Sequence, residues 1–137
     1  MSNANDCGAP QKHGAVCWNE LNVHDVERAK KFYSQTLGWS FEGMPMDGVT
    51  YWIISSQGAR VGGMFEMKGP ELASVPEHWL TYIGVDDVDA RLEKAKAAGA
   101  TICKDAFEIP GVGRMAVLQQ PGGAFVAWMT PKTPPSA

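Results

Sequence analysis

Several features that define whole classes of proteins are absent from this 137-residue sequence. No apolar run approaches the ~18–20 residues that a membrane-spanning helix needs. Twelve Lys and Arg residues are outnumbered by 15 Asp and Glu residues. This mild negative charge argues against binding of nucleic acid or an anionic membrane, which would need a basic stripe. The first residues lack the basic and apolar regions of a signal peptide. We therefore expect a cytoplasmic protein without a nucleic-acid or membrane partner.

Cysteine is also scarce. Cys7, Cys17 and Cys103 stand far apart in the sequence and form neither a CxxC metal motif nor a pattern of paired disulfides. Because no export signal accompanies them, the sequence predicts three reduced thiols.

Between its two ends the chain repeats one order of elements, β-α-β-β-β. Asp25 and Asp87 are typical N-cap residues of the two helices, and Gly38 and Gly99 are typical residues beyond a helix end. One such unit leaves a sheet face uncovered, so two units are expected to share one structural domain. The predicted parts are a flexible arm (1–13), module 1 (14–67), a linker (68–77), module 2 (78–130) and a proline-rich tail (131–137). Strands are predicted at 15–23, 39–42, 49–56, 59–67, 78–85, 100–104, 114–119 and 124–130.

Three groups of residues carry a resemblance to a known family. The first is Leu21-x-Val23-x-Asp25 with Lys31-Phe32-Tyr33 and Leu37-Gly38-Trp39; the others are Tyr82-x-x-Val85-Asp86-Asp87-Val88 and Gln120-Pro121-x-Gly123. Over residues 14–130 the sequence resembles the vicinal oxygen chelate superfamily, which includes glyoxalase I, bleomycin-resistance proteins and extradiol dioxygenases. Trp18-x-Glu20-Leu21 and Pro110–Arg114 are similar to its small two-module, glyoxalase-like branch. The resemblance implies an α+β fold of two paired βαβββ modules, with a cupped mixed sheet, helices outside and a homodimer.

The same resemblance implies a metal site. At the positions of the metal ligands, however, this sequence has different residues from the family. In the family, ligands come from the first and last strand of each module as His, Glu or Gln. The matching positions here are Trp18, Leu80, Ala127 and one of Gly62, Gly63 or Met64. None is a strong ligand for Zn, Ni, Fe or Mn, so we predict no metal and no other cofactor. A site rebuilt from Glu20, His78 and Glu66 is the alternative.

Alternation of side chains along strands predicts what lines the cup. If Leu21 and Val23 pack on the helix, then Trp18, Glu20 and Asn22 point the other way. A small-molecule site with apolar walls and a few polar groups is expected there. Its further predicted residues are Trp52, Met64, Leu80, Tyr82, Phe125, Ala127 and Met129, although core packing is an alternative role for Trp18, Met64 and Met129.

Three functions are compatible with such a cup. The first is a protein that binds a small apolar or aromatic molecule without metal. The second is a metal-independent enzyme in which Glu20 is the acid/base and Tyr82 polarises the substrate. The third is a metal-dependent lyase, isomerase or dioxygenase of the same superfamily. A structural ion pair of Glu20 with Arg60 or Arg114 is the alternative to a chemical role for this carboxylate.

Overall fold

A computed structural model describes residues 13–46 and 48–132. Within these residues the order β-α-β-β-β occurs twice, which confirms the α+β class and the repeated element order. Neither helix of the described residues is long and apolar enough to span a membrane. The elements are β1 (Val16–Val23), α1 (Val26–Leu37), β2 (Ser40–Met46), β3 (Val49–Ser56), β4 (Ala59–Glu66), a 3-10 helix (Pro70–Leu72), β5 (His78–Gly84), α2 (Val88–Ala97), β6 (Thr101–Ile109), β7 (Gly113–Gln119) and β8 (Phe125–Pro131).

The described residues form two compact units: unit 1 contains residues 18–80, and unit 2 contains residues 13–17 and 81–132. In unit 1 the strand order is β2-β3-β4-β1, with β1 parallel to β4. In unit 2 the order is β5-β8-β7-β6, with β5 parallel to β8. Residues 14 and 15, predicted in module 1, lie in unit 2 because Gly14 N–H donates to Gly84 O at 2.7 Å and Gly84 N–H donates to Ala15 O at 2.9 Å.

Both helices begin at the predicted caps. The Asp25 carboxylate accepts a hydrogen bond from Arg28 N–H at 3.0 Å, and the Asp87 carboxylate accepts one from Ala90 N–H at 3.1 Å. Gly38 ends α1 at a φ of +71°, a left-handed conformation that is most accessible to glycine. The local capping rules therefore identify these helix ends correctly.

Each unit has its own apolar core under its helix. In unit 1, Leu21 and Val23 of β1 pack with Val26 of α1, as the sequence predicts. In unit 2 the corresponding cluster consists of Val85, Val88, Leu92, Ala95, Ala116 and Leu118, with Ile83 and Trp128 packed against it. The buried part of the helix-facing side of each sheet is therefore apolar, and in β1 the polar Glu20 and Asn22 lie on the opposite side.

Two strands are longer than predicted because their ladders continue toward the turn. β2 extends to Met46, which pairs with Val49 of β3, and β6 extends to Ile109, which pairs with Gly113 of β7.

The prediction of reduced thiols holds for the exposed Cys103. It is wrong for Cys17, which is fully buried and disulfide-bonded.

The predicted linker is anchored to the beginning of α1. Glu77 Oε2 accepts a hydrogen bond from His24 N–H at 2.8 Å and another from Arg28 Nη2 at 3.1 Å. The His24 ring contributes a second contact, with Nε2 2.8 Å from Val75 O. The pKa of Glu77 is lowered, first by the His24 N–H and then by Arg28, since both stabilise the ionised carboxylate.

We expect Asp25→Ala to lower the free energy of unfolding by about 1 kcal/mol, because the first turn of α1 loses its side-chain acceptor. Urea denaturation measures this change. Asp25→Asn is the matched control, because it keeps an acceptor oxygen and should retain most of the stability. Equal losses in the two variants would contradict the capping role.

The effect of Glu77→Gln should depend on pH. Because the folded state lowers the pKa of Glu77, its contribution to stability is present above the unfolded pKa of about 4.3. That contribution is lost as pH falls from there through the folded pKa. The variant should therefore be less stable than the wild type at pH 7 and equally stable at strongly acidic pH. Urea unfolding at several pH values tests this, with Glu42→Gln on the exposed β2 as control.

Candidate functional site

The candidate site is the face of the unit 1 sheet that points away from α1. The strand register shows which residues belong to this face. Glu20 of β1 lies beside Gly63 of β4, and Gly63 lies beside Ile53 of β3. Asn22 in turn lies beside Phe65. Because neighbouring residues in a ladder point to the same side, β1, β3 and β4 together form one surface. Its residues are Trp18, Glu20, Asn22, Tyr51, Ile53, Gly63 and Phe65.

This surface combines buried polar groups with partly exposed rings. Glu20 is 9% exposed and Asn22 is 7% exposed, and the Asn22 amide donates to the Glu20 carbonyl at 3.3 Å. Trp18, Tyr51 and Phe65 are half-buried, so their rings retain accessible surface. A carboxyl and an amide beside accessible aromatic rings have the composition of a small-molecule site.

Trp18 and Tyr51 are joined across the surface. Trp18 Nε1 donates a hydrogen bond to the Tyr51 hydroxyl at 3.0 Å. The hydroxyl lies directly over Gly63, where an added Cβ would overlap it. The absence of a side chain at Gly63 is therefore what allows the phenol to lie across β4.

Two residues predicted for this site lie on the opposite face. Met64 pairs with Leu21 in the β1–β4 ladder and with Trp52 in the β3–β4 ladder, so all three point toward α1. Met64 is fully buried in the helix-facing core and Trp52 packs against it, with the Lys30 ammonium 4.0 Å from the Trp52 ring centroid. The expected orientation of Trp52 and Met64 toward the cup is corrected, because alternation in β3 and β4 places their neighbours Tyr51 and Gly63 there instead.

The remaining predicted residues are distributed over both units. Leu80 belongs to unit 1 and is 7% exposed. In unit 2, Tyr82 lies beside Ala127, and both are buried on the face opposite α2, together with Met129. Phe125 is 56% exposed. The unit 2 face is thus largely apolar with one phenol, and the catalytic roles of Glu20 and Tyr82 remain predictions.

Arg114, one of the cations considered for Glu20, forms an ion pair within unit 2. Its guanidinium donates two hydrogen bonds to the Asp89 carboxylate, at 2.7 and 3.1 Å, and lies 4.0 Å from Glu108. The hydrogen bonds from Arg114 lower the pKa of Asp89. Arg114 therefore has a structural role in joining β7 to α2.

The residues at the positions of the implied metal ligands do not fit a divalent metal. At these positions stand Trp18, Leu80, Ala127 and one of Gly62, Gly63 or Met64. None of them offers an imidazole nitrogen or a carboxylate oxygen, the donors that Zn²⁺ and similar ions take. The expected orientation of Glu66 is also corrected: it pairs with Val23 on the helix-facing side and lies 3.7 Å from Lys68. No group of three His, Cys, Asp or Glu residues within 13–46 and 48–132 is arranged to hold a metal.

A groove of about 460 Å³ lies at the beginning of α1 in unit 1. Its lining includes Val26, Trp52, Phe65, Glu66 and Lys68. Because Trp52 and Glu66 are on the helix-facing side of the sheet, this groove is separate from the candidate surface.

Sequence reasoning missed four residues of the surface: Tyr51, Ile53, Gly63 and Phe65. The sequence nevertheless contains a signal for Gly63, because glycine inside a strand often marks a close approach of another group. Position 62 also requires glycine because of a close approach, since a Cβ there would lie 2.5 Å from the Asn19 carbonyl oxygen. Tyr51 and Phe65 follow only from the pairing of β3 and β4 with β1.

With this geometry established, comparison with known proteins identifies a family. The family profile described as Glyoxalase/Bleomycin resistance protein/Dioxygenase superfamily matches residues 15–127. "Putative glyoxylase CFP32" of Mycobacterium tuberculosis is 38% identical over 119 residues, which cover 86% of this chain and 44% of that protein. "Anthracycline biosynthesis protein DnrV" of Streptomyces peucetius is 29% identical over 128 residues, which cover 84% of this chain and 46% of that protein. The chain thus spans less than half the length of these two relatives.

Solved structures give the same fold. A variant of methylmalonyl-CoA epimerase from Streptomyces coelicolor, in complex with 2-nitronate-propionyl-CoA, aligns with a TM-score of 0.64. The alignment covers 89% of this chain and 100% of the epimerase at 19% sequence identity. At this identity the likeness shows the fold alone.

The contact at Gly63 leads to a prediction about stability. Gly63→Ala should lower the free energy of unfolding by about 1–3 kcal/mol, because the new methyl group overlaps the Tyr51 hydroxyl in a closely packed region. In the double variant Gly63→Ala/Tyr51→Ala the overlap is gone, so the two losses should not add. A double-mutant cycle by urea denaturation measures the coupling. Strict additivity would contradict the contact.

Proposed function

Because the chain belongs to the glyoxalase/bleomycin resistance protein/dioxygenase superfamily, we propose that it binds a small aromatic or apolar molecule on the unit 1 surface. The observation that carries this proposal is the buried Glu20–Asn22 pair beside the half-exposed rings of Trp18, Tyr51 and Phe65. A ring of the ligand would stack on the aromatic side chains, and its polar atoms would meet the carboxyl, amide and phenol groups.

One further observation supports a ligand of this kind. One relative is named for anthracycline biosynthesis. We propose an aromatic ring system as the ligand of the present chain.

The proposed binding is independent of metal. The side chains at the implied ligand positions, such as Trp18 and Ala127, lack donor atoms for a divalent ion, so the ligand would be held by direct contacts with the protein. Hydrogen bonds and ring packing are the forces that this surface offers.

We expect 9-fluorenone, a neutral planar ketone, to quench tryptophan emission saturably and with one molecule bound per chain. Trp18→Phe should remove the largest part of the quenching, because this indole lies in the site. Trp39→Phe is the matched control, since Trp39 stacks on Tyr33 on the helix side with ring centroids 4.8 Å apart. No saturable quenching, or equal loss in both variants, would contradict the proposed site.

A second candidate function is supported by the burial of Glu20. A carboxyl group that is 9% exposed beside a ligand surface has the position of a general acid or base. Glu20→Gln would distinguish the two functions when substrates are screened: an enzyme should lose turnover by about 10²–10⁴-fold, whereas a binding protein changes only its affinity.

A further inference from the structure

We propose that Met44 of β2 determines the length of the ligand, and that the ligand is an extended aromatic molecule whose rings lie in line across β4, β3 and β2. This inference deepens the proposed function and rests on it. It extends the candidate surface to a fourth strand and gives an exposed apolar side chain a role in specificity.

The strand register places Met44 on the same face as the candidate site. Met44 pairs with Tyr51 in the β2–β3 ladder, and paired residues point to the same side of a sheet. Ile53, two residues along β3, points to the same side as Tyr51 and pairs with Gly63 of β4. The face opposite α1 therefore continues from β4 across β3 to β2, the outermost strand of unit 1.

The Tyr51 ring lies along this face rather than standing upright on it. Its hydroxyl is directly over Gly63, which pairs with Ile53, so the ring points diagonally from β3 toward β4. Diagonal neighbours on adjacent strands are about 7–8 Å apart, a distance that the side chain covers only when it lies nearly parallel to the sheet. The Trp18 indole donates to the hydroxyl at 3.0 Å and holds the ring in this direction. The ring is therefore a flat surface that turns away from β2.

The accessible part of the face lies on its outer strands. On β1, Glu20 and Asn22 are only 9% and 7% exposed. Tyr51 and Phe65 are half-buried, and Met44 on β2 is 42% exposed. Because the Tyr51 ring turns away from β2, it does not cover the side of Met44 that faces β3. A ligand therefore meets aromatic rings on β4 and β3 and a thioether side chain at β2.

The spacing of the strands gives the length of the ligand. Neighbouring strands are about 4.8 Å apart, so Phe65 on β4 and Met44 on β2 are separated by about 10 Å across the sheet. Two fused rings over Phe65 and Tyr51 stop before Met44, whereas a third ring in line with them reaches it. Methionine suits this contact because its unbranched thioether adapts to the edge of a ring and makes favourable sulfur–aromatic contacts. The surface therefore selects extended aromatic molecules over compact ones.

Two probes of different length test this selection: 2-naphthol has two fused rings, and 6-phenyl-2-naphthol carries a third ring in line with them. Equilibrium dialysis, measured by naphthol fluorescence, should show the wild type binding the longer probe about tenfold more tightly. Met44→Ala should weaken binding of the longer probe about fivefold, the effect of leaving roughly 40 Å² of apolar surface in water. The affinity of this variant for 2-naphthol should change less than about twofold, because the shorter probe does not reach β2.

Met44→Leu and Thr50→Ala are the matched controls. Met44→Leu keeps an apolar side chain of similar volume, so its affinity for 6-phenyl-2-naphthol should stay within about twofold of the wild type. Thr50 is adjacent to Tyr51 but pairs with Pro45 on the helix-facing side, so Thr50→Ala should leave both affinities unchanged. A loss in Met44→Leu as large as the loss in Met44→Ala would contradict the apolar contact.

The remaining outcomes separate this role from the proposed function. If both probes bind and Met44→Ala weakens neither, or weakens both equally, the role of Met44 is wrong while the proposed function stands. The same conclusion follows if the wild type binds the two probes with equal affinity. If neither probe binds to the wild type, the proposed function fails and the role of Met44 fails with it.

Discussion

The alternation of side chains along β1 is the constraint on which both the core and the candidate site depend. Leu21 and Val23 point toward α1 and pack with Val26. Glu20 and Asn22, which alternate with them along the strand, point to the opposite face. A shift of one residue would place the carboxyl and the amide beneath the helix and turn the leucine and the valine outward. The apolar packing on α1 therefore keeps the polar pair of β1 on the face opposite the helix.

The position of the Tyr51 ring depends on a glycine in the neighbouring strand. β4 has glycine at position 63, and the Tyr51 phenol lies in the space that this glycine leaves. The hydrogen bond from Trp18 then holds the phenol in place at 3.0 Å. A glycine, a phenol and an indole on three strands thus produce a polar position that none of the three strands forms alone.

The fold and the chemistry of this chain have separate origins. The βαβββ units identify the superfamily, but Trp18 and Gly63 stand at positions where the resemblance implies metal ligands. A fold positions residues, while the chemistry depends on which side chains stand at those positions. The recognition proposed for this chain uses hydrogen bonds and ring packing, and membership of the superfamily alone does not define its activity.

The sequence by itself determined the class of the fold, the order of its elements and the two faces of β1. Those features depend on local rules: Asp25, Gly38 and Asp87 mark helix ends, and alternation separates Leu21 from Glu20. Tertiary structure alone decided that Tyr51 and Gly63, rather than Trp52 and Met64, share a face with Glu20. It also placed residues 14 and 15 in unit 2 through their hydrogen bonds with Gly84. The physical reason is that strand register depends on hydrogen bonds between segments that are distant in the chain, and no local pattern encodes which residue of one strand will lie beside which residue of another.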